Sequence, residues 1–162
     1  MTIRILLTGG TIDKEYDKIH GQLVLTKSHI NDMLEQARCR LETSIDSYKL
    51  QDSLNMDDQD RISITEKCKS YPEERIVITH GTDTMVETAS ILNEHIKDKT
   101  IALFGAMIPY TFGNSDALFN FGTALAAVQS LQHGVYVAMN GIIFPYNNVR
   151  KNREEGYFEY LT

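Results

Sequence analysis

The stretch "RIVITHGTDTMVETASILNEHI", Arg75–Ile96, changes its period in the middle. Arg75–His80 is a continuous apolar run that reads as a buried strand. From Asp83 onward, Met85, Ala89, Leu92 and Ile96 recur at helical spacing and share one face. Between the two halves lies a polar turn, His80-Gly81-Thr82-Asp83-Thr84. A strand that feeds a helix through a short turn is the repeating unit of a parallel sheet.

The flanking segments repeat this unit. "IRILL" (3–7) is an apolar strand that ends at Gly9-Gly10, where the backbone can turn without a side chain in the way. "SHINDMLEQA" (28–37) is predicted helical with Ser28 as N-cap. "LETSIDSYKL" (41–50) interleaves polar and apolar residues as a strand does. "MDDQDRISITEKCKS" (56–70) opens with acidic residues, which suit the positive end of a helix. Beyond the central stretch come a strand, "TIALFGA" (100–106), and a long apolar helix, "NSDALFNFGTALAAVQSLQ" (114–132), with Gly134 expected to cap it. "GVYVAMN" and "GIIF" are strands joined at Asn140-Gly141, a good hairpin turn. The tail "NNVRKNREEGYFEYL" has no clear assignment. The expected fold is one α/β domain over residues 1–162, an open, mostly parallel sheet with helices on both faces.

Composition narrows the function. Of the 162 residues, 42% are hydrophobic and 23% charged, which is globular rather than disordered. A formal charge of -6 with no Lys/Arg run argues against nucleic acid or an acidic membrane as partner. No apolar run approaches a membrane span, and the N-terminus lacks the features of a secretory signal. Cys39 and Cys68 match no metal or CxxC spacing and read as reduced thiols. The cytoplasm is the expected compartment.

Ligands of open parallel sheets bind beyond the carboxyl ends of the strands. Thr8, Gly9, Gly10 and Thr11 follow the first strand, and Asp52 and Ser53 follow "SYKL". His80–Thr84 and Gly105-Ala106 follow the next two. "GGTIDK" is not a phosphate loop, no GxGxxG follows the first strand, and no GxSxG elbow is present. The five histidines show no metal-ligand spacing; His80 reads as a structural hydrogen-bonder and His95 as solvated. No metal and no cofactor are expected. What remains is a threonine hydroxyl, weak at neutral pH unless a base takes its proton. A lysine beside a carboxylate can be that base, and Asp83 and Lys151 supply the types. The competing reading is a tight turn with incidental hydroxyls, and these residues alone leave both open.

"TGGTI" (8–12) together with "HGTDTMVETA" (80–89) resembles the two signature stretches of the bacterial-type asparaginase/glutaminase family. "DSLNMDD" (52–58), "GAMIPYTFGNSDALFN" (105–120) and "MNGIIFPYNNVRKN" (139–152) resemble further family segments in the same order, so nearly the whole chain is covered. The resemblance implies hydrolysis of the side-chain amide of asparagine, or of glutamine, to the acid and ammonia. It implies Thr11 as nucleophile, and Thr82, Asp83 and Lys151 as a second catalytic group. Ser53 and Asp83 would hold the substrate's α-carboxylate and α-ammonium. Thr82 and the backbone at Gly10 and Gly81 would line the site, with N–H groups available to an oxyanion.

Two features depart from the family pattern. The loop after "TGGTI" is short, and its one tyrosine, Tyr16, is close to Thr11; the resemblance implies that Tyr16 helps activate the nucleophile. The family's second, C-terminal domain, which completes a neighbouring subunit's site, is expected to be absent. Asp13 also stands where small residues are common. A homo-oligomer, dimer or higher, is the family-based expectation, with helix 115–132 and "GYFEYL" as interface or as ordinary core. A non-catalytic amide-binding protein and a hydrolase of a larger amide are the alternatives.

Overall fold

A computed structural model describes residues Met1–Thr162. Ten strands and four α-helices follow one another as β1 (Ile3–Gly9), β2 (Lys14–Asp17), β3 (Gln22–Leu25), α1 (Ile30–Gln36), β4 (Thr43–Gln51), α2 (Asp58–Ser70), β5 (Arg75–Thr79), α3 (Met85–His95), β6 (Thr100–Phe104), α4 (Ala117–Ser130), β7 (Gly134–Met139), β8 (Ile142–Pro145), β9 (Arg150–Asn152) and β10 (Tyr157–Glu159). The main sheet runs β4-β1-β5-β6-β7-β8, and β2–β3 and β9–β10 are separate hairpins.

The first five strands of that order are parallel. Only β8 is antiparallel, returned along β7 by a turn in which Asn140 and Gly141 both adopt positive φ, 58° and 77°. Asn-Gly suits that turn because these residues tolerate the left-handed region at little cost. Alternation along β1 splits the core in two. Ile3, Ile5 and Leu7 pack with Ile30 and Met33 of α1 and with Phe121, Ala124 and Val128 of α4. Leu6 faces the opposite layer, with Ile64 and Cys68 of α2 and Met85, Ala89 and Leu92 of α3. Helices therefore cover both faces, as the alternating pattern predicts.

Local signals explain most boundaries. Asp57 caps α2 through its side chain on the Asp60 N–H, and Asp60 reaches back to the Asp57 N–H at 3.2 Å, forming a reciprocal capping box. Such a cap contributes about 1 kcal/mol.

Three boundary expectations need correction. Ser28 is not the N-cap of α1; His29 holds that place, and the Ser28 hydroxyl one residue earlier donates to Asp13 at 3.1 Å while accepting from the Ile30 N–H at 3.3 Å. Gly134 does not cap α4. The helix stops at Leu131, and Gly134 opens β7 by donating to the Lys99 carbonyl at 2.9 Å. Thr8 does not follow the first strand but lies within it, next to last in β1. It is fully buried, its hydroxyl donating to the Thr79 carbonyl at 2.5 Å while its N–H donates to the Thr79 hydroxyl. The unassigned tail forms the β9–β10 hairpin, with Phe158 buried in the core.

Candidate active site

β1 lies between β4 and β5: the chain runs from β1 to β4 on one side, then crosses back through α2 to β5 on the other. This is the switch point at which a parallel sheet opens a crevice beyond its carboxyl ends. The turns after β1, β4 and β5 meet there without any space between them. A Cβ built on Gly10 would lie 2.6 Å from the Gly81 nitrogen, and one on Gly81 would lie 2.5 Å from the Ser53 hydroxyl. Any side chain would force these turns apart, so glycine is required at both positions. The contact brings Thr11, next after Gly10, into the neighbourhood of Thr82, next after Gly81.

Thr11 opens a single 3-10 turn, Thr11–Asp13, and its hydroxyl makes no hydrogen bond to the protein. Both the proton and the lone pairs of Thr11 are thus available to a ligand. Ser53 is 1% exposed; its Oγ accepts from the Thr84 N–H at 3.3 Å, and its carbonyl accepts from the Thr84 hydroxyl at 3.0 Å. These two bonds tie the turn after β4 to the start of α3.

Lys151 arrives from the other end of the chain. Its cross-strand partner in the β9–β10 hairpin is Phe158. Cross-strand partners share a face, so burying Phe158 also turns Lys151 inward, where its side chain is only 11% exposed. Nζ then lies 2.8 Å from the Thr82 hydroxyl and 2.9 Å from Asp83 Oδ1. The Arg153 guanidinium also donates to Asp83 Oδ1, and to the Asp83 main-chain carbonyl at 2.9 Å. Burial pushes the Asp83 carboxyl upward, but hydrogen bonds and charge from Lys151 and Arg153 outweigh it and hold the group below the usual carboxylate range.

Beneath the site, His80 is fully buried with a pKa lowered to about 4 by desolvation. Its Nδ1 is 2.8 Å from the Gly81 carbonyl and its Nε2 is 2.7 Å from the Thr88 hydroxyl. A carbonyl can only accept, so Nδ1 carries the proton and Nε2 accepts from Thr88. Neutral His80 thus pins the Gly81 backbone, in keeping with its reading as a structural hydrogen-bonder.

Tyr16 is not brought into this group. It lies on β2 opposite Leu23, is 59% exposed, and makes no hydrogen bond. Its hydroxyl sits 3.9 Å from a Cβ built on Gly21, across the β2–β3 hairpin. The hairpin register, with Tyr16 paired to Leu23, sets that direction. Lys14 of the same hairpin does reach the site's edge, binding Asp52 at 2.7 Å beside Ser53.

Arg153 escaped the sequence reading because it sits in a charged run that looks solvated. It stands in the turn just past β9, beyond the strand alternation that orients Lys151, so no periodic signal marked it. No group of three His, Cys, Asp or Glu side chains is gathered to hold a metal. No helix is long and apolar enough to cross a membrane. The two largest surface depressions lie at the opposite end, around Glu74, Arg75 and His133, and carry none of these groups. An open depression of about 220 Å³ borders Thr82, Asp83 and Lys151 directly.

The family described as "Asparaginase, N-terminal" matches residues 2–158. The L-asparaginase of Thermococcus kodakarensis is 36% identical over 147 residues, covering 85% of this chain and 44% of that protein. The glutaminase-asparaginase of Acinetobacter glutaminasificans is 45% identical over 80 residues, 47% of this chain and 24% of that protein. The structure of the Thermococcus enzyme superposes with a TM-score of 0.87 at 30% identity, covering 99% of this chain and 51% of that one. L-asparaginase I of Vibrio cholerae gives a TM-score of 0.86 at 25% identity, over 98% of this chain and 51% of that one. The chain therefore spans about half the length of the proteins it resembles.

Proposed function

Since the chain belongs to the asparaginase family, matching it over residues 2–158, we propose that it is an amidohydrolase of the side-chain amide of L-asparagine, with Thr11 as nucleophile. The observation that carries this reading is the Lys151–Thr82–Asp83 cluster beside the Gly10–Gly81 contact. That contact joins the turn that carries Thr11, whose hydroxyl has no partner in the protein, to the turn that carries Thr82 and Asp83.

In the proposed reaction the Thr11 oxygen attacks the amide carbon. Backbone N–H groups of the glycine turns receive the developing oxyanion, a contribution of about 3 kcal/mol per donor in other enzymes. The C–N bond breaks, the proton lost by the Thr11 hydroxyl ends on the leaving nitrogen so that ammonia departs, and an ester to Thr11 remains. Water then attacks the ester. In the proposal Lys151, bonded to Thr82, takes as the neutral amine a proton from that hydroxyl or from the water, and the proton returns to the Thr11 oxygen as aspartate is released. Asp83 orients Lys151, Ser53 faces the substrate's α-carboxylate, and Asp83 also faces its α-nitrogen. All of these residues lie within 1–162, which we take as one catalytic unit with no cofactor.

The test is ammonia release from L-asparagine and L-glutamine by wild type and Thr11→Ala. Release that disappears in the variant supports the reading, and the ratio of the two substrates ranks asparagine against glutamine. A folded wild-type protein that releases no ammonia at millimolar substrate overturns it.

A further inference from the structure

Asp83 is the carboxylate that faces the substrate's α-nitrogen in the reading above, on which this inference rests. Two cations already hold it. Lys151 and Arg153 share Oδ1, and Arg153 also takes the Asp83 main-chain carbonyl in a two-point clamp. With Lys151 as an ammonium, Asp83 and its two partners carry a net charge of +1, which falls to 0 when Lys151 gives up a proton to serve as the base. A free α-ammonium brought to it adds a third cation within a few ångströms. Like charges at that range disfavour binding wherever water is partly excluded.

Asp83 Oδ2, by contrast, takes no hydrogen bond within the protein, Oδ1 being the atom both cations use. It can accept from a neutral N–H without any gain of positive charge. The depression of about 220 Å³ beside it has Val86 and Val149 as its apolar wall, and its charged rim adds Glu87 and Arg150, one of each sign, to Asp83, Lys151 and Arg153. A small acyl group on the α-nitrogen has a place to lie there.

We propose that Arg153 is a specificity-determining residue that turns this site toward side-chain amides whose α-nitrogen is acylated, as in an N-acyl-asparagine or a peptide ending in asparagine. The acyl N–H bonds Asp83 Oδ2, and the acyl group rests against Val86 and Val149. The chemistry at the side-chain amide is unchanged. The lysine at 151 serves both substrate types, whereas Arg153 separates them.

The experiment compares L-asparagine with N-acetyl-L-asparagine as substrates, following ammonia, with the deamidated product identified by mass. L-aspartate and N-acetyl-L-aspartate are titrated in parallel by calorimetry. Wild type, Arg153→Ala and Arg153→Lys are compared; Arg153 is 59% exposed, so neither change disturbs the core. The expected result is a kcat/KM at least tenfold higher for the acetylated substrate in wild type. That preference is reversed in Arg153→Ala and largely retained in Arg153→Lys. A wild-type preference for L-asparagine, or an Arg153→Ala variant weakened equally on both substrates, overturns the inference. Binding of neither product overturns it too. Tighter binding of N-acetyl-L-aspartate with no ammonia from any amide overturns the hydrolase reading alone and leaves the role of Arg153 supported.

Discussion

Lys151 Nζ lies 2.8 Å from the Oγ1 of Thr82, a residue 69 positions earlier in the chain. Neither side chain has a local reason to be there. Thr82 is placed by the turn after β5, and Lys151 by a hairpin whose Phe158 is buried beneath it.

Replacing that lysine separates proton transfer from folding. In Lys151→Met the long apolar stem is kept and the nitrogen is lost. Ammonia release is expected to fall by roughly 10²–10⁴-fold, the range for a positioned acid–base group. Circular dichroism should match wild type. A variant that keeps full activity removes Lys151 from the mechanism.

Ser53 is expected to act in binding. Its buried hydroxyl lies against Gly81, at the crevice. Ser53→Ala removes one hydrogen bond to a charged substrate group, worth about 1.5–3 kcal/mol. KM should then rise by roughly 10–150-fold, with kcat changed far less. A fall in kcat at constant KM would place Ser53 in the chemical step instead.

Gly10→Ala tests the contact between turns. Gly10 has φ +96° and no room for a Cβ. The backbone strain alone costs about 1–2 kcal/mol, which lowers the melting temperature by about 2–8 °C in a chain of this size. Activity should be lost even well below the melting point, because Thr11 and Thr82 move apart. A fully active Gly10→Ala would show that the chemistry does not need that contact.

His80 sets the pH dependence of stability. Its folded pKa of about 4 lies below the ordinary value of 6.5, so the unfolded chain binds more protons between those limits. Its contribution is complete above pH 6.5 and is lost as pH falls toward 4, on the order of 3 kcal/mol at full extent. Below pH 4 a second loss follows from Asp46, whose carboxyl is held at about 2 by hydrogen bonds from Lys67 and Tyr71. Denaturant titrations at pH 7, 5.5 and 4.5 should show stability falling in wild type and nearly level in His80→Gln. Equal slopes for both proteins would show that another group carries the effect.

Asp13 acts with the opposite sign. Burial raises its carboxyl above the ordinary range despite bonds from the His29 N–H and the Ser28 hydroxyl, and Oδ2 is buried without a partner. A raised carboxyl favours the fold at low pH and costs stability once it ionises. Asp13→Asn is expected to melt above wild type at pH 8, with the gain fading toward acid. A variant less stable than wild type at pH 8 would show that the ionised carboxylate is needed where it stands.

The alternation of strand and helix, the two-faced sheet and the turns at Gly10, Gly81 and Asn140-Gly141 were all legible in the amino-acid order. Each rests on neighbours within a few residues: the periodicity of Met85, Ala89, Leu92 and Ile96, or the φ that glycine and asparagine tolerate. Family likeness marked Thr11, Thr82, Asp83, Lys151 and Ser53 as the residues to watch. Only the tertiary structure decided how they meet. Three turns close to within van der Waals contact at the switch point, the register of β2–β3 turns Tyr16 away, a buried Phe158 draws Lys151 onto Asp83, and the turn past β9 brings Arg153 to the same carboxylate. Hydrogen bonds between residues about 70 positions apart leave no period in a sequence. A cation destined for a carboxylate looks, in one dimension, the same as one destined for water.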